Sequence, residues 1–190
     1  MNHQILRAVA ATAQRLPSST TFISQRHLVL PQGVQEPTDQ KQLQALEDLA
    51  SAAHSAADSV LCSRLVSASP VYLADDFADV SVWLGQGSYG KGNEHAVLKK
   101  LGLESLAKGG RISSVELSAK GIPVTVNLNT DNPNTDEMDA FSAELAKLQD
   151  VHCFFMHPAS GSDVIYSLVG KFKNASGWGG LLNIGIQSDD

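Results

Sequence analysis

Three stretches near the C-terminus, 151–156, 164–172 and 179–187, read as strands joined by connections of only seven and six residues. A parallel crossover needs a dozen residues or more, so neighbours joined this closely must run antiparallel. Side chains alternate between the two faces of a strand. In the second stretch Val164, Tyr166, Leu168 and Phe172 share one face; in the third Leu182, Ile184 and Ile186 do. Upstream, "RISSVELSAKGIPVTVNLNT" reads as a hairpin, with Val115 and Leu117 on one face of its first strand. Ile122, Val124, Val126 and Leu128 share a face of its second strand, and Pro123, lacking an N–H, belongs at a strand start or an edge. Between hairpin and strands, Met138, Phe141, Leu145 and Leu148 form a helical stripe behind the capping pair Asn134 and Glu137. The order β-β-α-β-β-β predicts an α+β domain with a mainly antiparallel sheet covered by helices on one face.

The first half supplies more helix. Leu43, Leu46, Ala50, Ala53, Ala57 and Val60 recur at helical spacing, and Thr38 or Asp39 can cap the start. The alanines allow another element to approach closely. "PVYLADDFADVSVWLGQG" suggests strands over 71–74 and 79–84, and "NEHAVLKKLGLESLAKGG" reads as one helix capped by Asn93 and ended by Gly109 and Gly110. Residues 2–15 read as a short helix with Ile5, Val9, Thr12 and Leu16 on one face, and 20–30 as a strand. "PQGVQEPTDQ" is a loop by its Pro and Gly content, which predicts an N-terminal arm over 1–37 and a single domain over 38–190.

The net charge of −6 argues against a general nucleic-acid binder, which needs a basic face to displace phosphate counterions. No apolar run reaches the ~18 residues of a membrane span. Cys62 and Cys153 lie in apolar surroundings and read as reduced, buried thiols, which fits the cytoplasm. Residues 1–35 carry Arg7, Arg15 and Arg26 and no acid. This amphipathic start resembles a mitochondrial transit peptide, which gives a cleaved leader and a matrix location as the alternative.

Two stretches concentrate chemistry. "VHCFFMHPASGSD", 151–163, holds two histidines, a cysteine, serines and an aspartate. As a strand it puts Cys153 and His157 on one face about 13 Å apart, at roughly 3.3 Å per residue, with His152 on the other. Zinc needs its ligands within about 2.0–2.3 Å of one point, so no metal site is assigned. The turn "PASGSD" has ordinary turn composition, and no catalytic residue is assigned there. "LGQGSYGKG", 84–92, gives G-x-G-x-x-G through Gly85, Gly87 and Gly90, after a strand and before a helix, where backbone amides can cradle an anion. Lys91 and Gly92 complete that candidate ligand-binding loop. The stretch resembles the glycine-rich loop of protein kinases, but no H-R-D or D-F-G follows and the interval from Gly90 to Lys99 is too short for the intervening strand. The acidic residue that a dinucleotide fold places about 20 positions on is also missing from its position. "NLNTDNPNTDEMD" departs from the calcium-loop pattern, with Asn132 and Met138 where glycine and glutamate belong.

These readings favour a non-enzymatic protein that works through contact with a protein partner or with itself, without a cofactor. Arg7, Arg15 and Trp178 are its candidate contact residues. A small enzyme or ligand-binding domain using Gly85–Gly92 is the alternative. If the arm docks onto another copy, deleting residues 1–19 weakens self-association and leaves the body folded. Sedimentation velocity checks this, and an unchanged profile for the truncation refutes it.

Overall fold

Strand alternation on a sheet with two buried faces organises the chain. A computed structural model describes residues 28–31, 34–60, 62–64, 66, 69–70, 79–124, 134–161, 163–173 and 176–186. The strands are β1 (Leu28–Val29), β2 (Cys62–Arg64), β3 (Ser69–Pro70), β4 (Val80–Gly85), β5 (Arg111–Val115), β6 (Leu148–His157), β7 (Asp163–Phe172) and β8 (Trp178–Ile186). The helices among the described residues are α1 (Gln40–Ser59), α2 (Glu94–Lys100), α3 (Glu104–Ala107) and α4 (Asp136–Leu145). The main sheet runs β1-β4-β8-β7-β6-β5, and every pairing in it is antiparallel except the parallel pair β1–β4. The fold is therefore α+β with a mainly antiparallel sheet.

Several expectations need correction. Helices cover both faces of the sheet, not one. Trp83, Cys153, Leu168 and Leu181 point toward α1 and α4, while their neighbours Val82, Phe154, Val169 and Leu182 point toward α2 and α3. The expected single helix after Asn93 is two. Gly102, at φ +72°, turns the chain after α2, and the Leu103 N–H closes back on the Leu98 carbonyl at 2.8 Å. Leu101 and Leu103 are buried on either side of that turn, so core burial holds the break in place. Leu28 and Val29, ahead of residue 37, pair with Ser81 and Val82 of β4. The short β2–β3 pair had no sequence signal. The helix expected over 2–15 and the strands over 20–27, 71–74 and 125–128 lie outside the described residues.

Packing explains the composition of α1. Asp39 accepts the Lys41 N–H at 2.9 Å and caps the helix. Ala50, Ala53, Ala56 and Ala57 are buried, and their small side chains bring α4 close. At the far end Ser59 Oγ donates to the Ala56 carbonyl at 2.8 Å and meets Thr135 Oγ1 at 2.7 Å. Thr135 in turn accepts the Met138 N–H and caps α4. One hydroxyl relay thus joins the end of α1 to the start of α4. On the same face, Asp79 accepts both the Asn183 amide at 2.9 Å and the Val66 N–H at 3.2 Å, tying the segment between β2 and β3 to the sheet.

β8 lies inside the sheet between β4 and β7, so the last of the described strands is not an edge. Its position requires close backbone approach. A Cβ on Gly180 would strike the Leu168 carbonyl oxygen and come within 2.8 Å of Val169 Cα. Those atoms belong to the paired strand and cannot rotate away. Gly180→Ala is expected to lower the urea midpoint by the equivalent of about 2 kcal/mol, the range of overpacked cores. An unchanged midpoint would show that β7 and β8 can separate without cost.

Candidate functional site

The end of β4 opens into a cleft of about 650 Å³. Three parts of the chain build it. The loop 34–39 runs from β1 to the capped start of α1 and forms one wall, with Glu36, Asp39 and, from the first helical turn, Gln42. Lys100, the last residue of α2, stands on the other. Trp83 and Gly85 lie at the end of β4 and Gln86 just beyond it, where Ser176 arrives just before β8. The two walls come from opposite faces of the sheet, since α1 packs with Trp83 and α2 packs with Val82 and Leu84.

Gln42 is 8% exposed and lines the cleft, and its amide atoms are not among the buried polar atoms left without a hydrogen bond. Lys100 has no ion pair or hydrogen bond among the described residues. Gln86 Nε2 reaches Ser176 Oγ at 3.4 Å, a long bond that leaves most of the amide's capacity unused. Trp83 is fixed by Phe172, with ring centroids 5.8 Å apart. The cleft combines a held aromatic, amides with free donors and acceptors, one cation, and two carboxylates.

Of Gly85, Gly87, Gly90, Lys91 and Gly92, Gly85 alone lines this cleft, beside Leu84 and Gln86. Its φ of +76° turns the chain out of β4. Beyond it the loop folds onto its own tyrosine. Tyr89 is buried, and its ring lies where a Cβ of Gly87 would be. The Tyr89 ring meets Trp178 edge-on with centroids 6.2 Å apart, and Gly90 sits against the same indole. Gly92 spends its N–H on Glu94 Oε1 at 2.9 Å. Gly87 and Gly90 therefore pack beside the aromatic pair, while Lys91 and Gly92 are exposed next to them. Trp178, a candidate contact residue, is only 6% exposed and anchors this loop from within the core. Arg7 and Arg15 lie outside the described residues.

The stretch 151–163 behaves as strand chemistry requires. Cys153 is buried, and burial pushes its thiol up to about 12, so it stays protonated and unreactive at neutral pH. His157 meets Phe155 edge-on at 4.9 Å, and no hydrogen bond joins it to Ser160 or Asp163 among the described residues. No group of three metal-binding side chains occurs among the described residues, and none of their helices is long and apolar enough to cross a membrane. An irregularity that shifts strand parity lies between Gln149 and His152, where Asp150 adopts φ +53°. The extra residue leaves Leu148 facing α1 and α4 while His152 faces the other side, opposite Val169.

His152 is consequently buried, stacked on Phe154 at 5.8 Å, with neither ring nitrogen hydrogen-bonded. Burial lowers its pKa below the ordinary 6.5, against the opposing pull of the Asp150 carbonyl and the Glu94 carboxylate. The unfolded chain binds the proton first as pH falls, so this contribution to stability is complete above 6.5 and drains away below it. His152→Phe keeps the stack and removes the titration. Urea midpoints measured at pH 7.5, 6.5 and 5.5 are expected to fall more steeply for the native chain than for the variant; parallel curves would refute the assignment.

The residues that meet at the cleft escaped the sequence reading because Gln42, Lys100 and Ser176 are far apart in the chain and form no motif. No protein-family model, curated protein or solved structure matches this chain.

Proposed function

We propose that the chain is a binding domain whose cleft beside Gly85 holds a small polar ligand. The observation that carries this reading is Gln42, whose amide lines the cleft and can offer a ligand both a donor and an acceptor. Lys100 supports the same reading, since an unpaired cation at the rim of a cleft gives a ligand its orientation. The volume of about 650 Å³ is that of ordinary small-molecule sites, which span roughly 300–1,000 Å³. The reading keeps the ligand-binding alternative drawn from the sequence and moves its centre from the glycine loop to the cleft wall that Gly85 begins.

An assembly or adaptor role is the second reading. It is favoured by the acid-free start with Arg7, Arg15 and Arg26, set against a net charge of −6 for the whole chain. A cytoplasmic site of action suits Cys153, a free thiol buried in the core.

The test uses the full chain labelled with ¹⁵N. Acetate, inorganic phosphate, ethanolamine, glucose and triglycine are titrated in turn while the Gln42 side-chain amide and the Trp83 indole are followed. At least one probe is expected to shift both signals saturably, and Gln42→Leu to weaken that binding about tenfold. If no probe moves either signal, the cleft is not a binding site.

A further inference from the structure

His152 is a base buried where its charged form has nothing to bond. It is 6% exposed, and neither ring nitrogen has a partner among the described residues. The start of α2 and the turn before it cover the same face of the sheet, since Tyr89, Val97 and Trp178 share a core with Phe154 and Val169. The titratable and charged groups around the ring come from every element that packs there. Glu94, half-buried in the first turn of α2, attracts a proton to the imidazole, while Lys91 in the turn repels it. Lys171, two positions from Val169 on β7, lies on the same face and is half-buried. Asp150 in the bulge, Glu116 just past β5 and His95 on α2 are exposed. Burial pushes the Tyr89 hydroxyl up, so that group stays neutral. Of the acids, Glu94 is the one that acts on the imidazole.

Glu94 also holds the turn. Its Oε1 accepts the Gly92 N–H at 2.9 Å. Gly92 has φ +92° and open space where a side chain would stand, so packing does little to fix it. One backbone bond, from the Asn93 N–H to the Gly90 carbonyl at 2.9 Å, closes the turn. A proton on His152 acts on both of the turn's charged neighbours. Two ring N–H groups then need acceptors, and an unpaired charge costs more in a core than a neutral ring does. Glu94 is drawn inward and Lys91 is driven outward. We propose that His152 and Glu94 form an acid-released latch: with a proton on His152, the Glu94 carboxylate turns from the Gly92 N–H to the imidazolium, and the turn Gly90–Asn93 opens while the sheet stays folded.

The test follows the Gly92 backbone amide and the His152 ring by NMR in the full chain from pH 7.5 to 5.0. The Gly92 resonance is expected to move with the midpoint of the His152 ring, below 6.5, and its exchange with solvent to quicken about tenfold. Protonation of Glu94 itself comes later in the descent. Partial burial raises its carboxyl, but the Gly92 and Glu94 N–H groups, His152 and His95 outweigh that and hold it below 4.5. His152→Phe is expected to abolish the Gly92 shift over this range. Glu94→Gln keeps an acceptor for Gly92 without the charge; it is expected to abolish the shift and to lower the His152 midpoint. The proposal is overturned if the ring titrates while Gly92 stays still, or if the ring remains neutral down to pH 5.0. Amides of β6, β7 and β8 changing together with Gly92 would overturn it too, because the domain then unfolds as a whole. These three outcomes are read on the native chain and do not depend on how a variant folds. A Gly92 midpoint unchanged in His152→Phe also overturns it.

Discussion

The close backbone approach at Gly180 is the contact on which the rest of the architecture depends. It lets β8 lie between β4 and β7, so the last of the described strands closes the centre of the sheet. That placement carries the turn before β8 to the end of β4. There the Trp83 ring lies over Gly177, where any side chain would collide with it. The Gly177 carbonyl accepts the Phe172 N–H at 3.1 Å, which fixes the turn from the other side. The floor of the cleft is therefore a by-product of strand order. Ser176 reaches Gln86 only because two glycine-dependent contacts bring their strands together.

A sheet buried on both faces must supply apolar side chains to each, and the C-terminal strands do so by alternation. The bulge at Asp150 is the local exception, and it has two effects. It preserves Leu148 for the face under α1 and α4, and it places a histidine in the opposite core without hydrogen bonds. The face under α1 and α4 also contains the hydroxyl relay from Thr135 through Ser59. That relay satisfies polar groups at a helix junction without needing water, which suits a junction packed as tightly as the alanine face allows.

The antiparallel C-terminal strands were legible because alternation and short connections are local properties of the chain. So was α1, through its apolar spacing and the Asp39 cap. The break between α2 and α3 was harder to see. Gly102 is a weak signal by itself, and the decisive factor is burial of Leu101 and Leu103 against a sheet assembled from distant strands. Helices on both faces were illegible for the same reason, since periodicity shows that a face is apolar and not which layer it meets. At the site, glycine spacing drew attention to 84–92, and within that loop the Tyr89 ring packs against Gly87. The cleft lies one step away, at residues whose significance comes from tertiary proximity alone.

The loop 34–39 is held at more than its two ends. Asp39 caps the twenty-residue α1, Leu28 and Val34 pack against the core under α1 and α4, and the Val34 N–H donates to the Pro31 carbonyl at 3.0 Å. Pro37 is buried as well. The wall of the cleft is thus the rim of the core itself, like the lip of a bowl thrown from one piece of clay, and its shape is inherited from the packing beneath it.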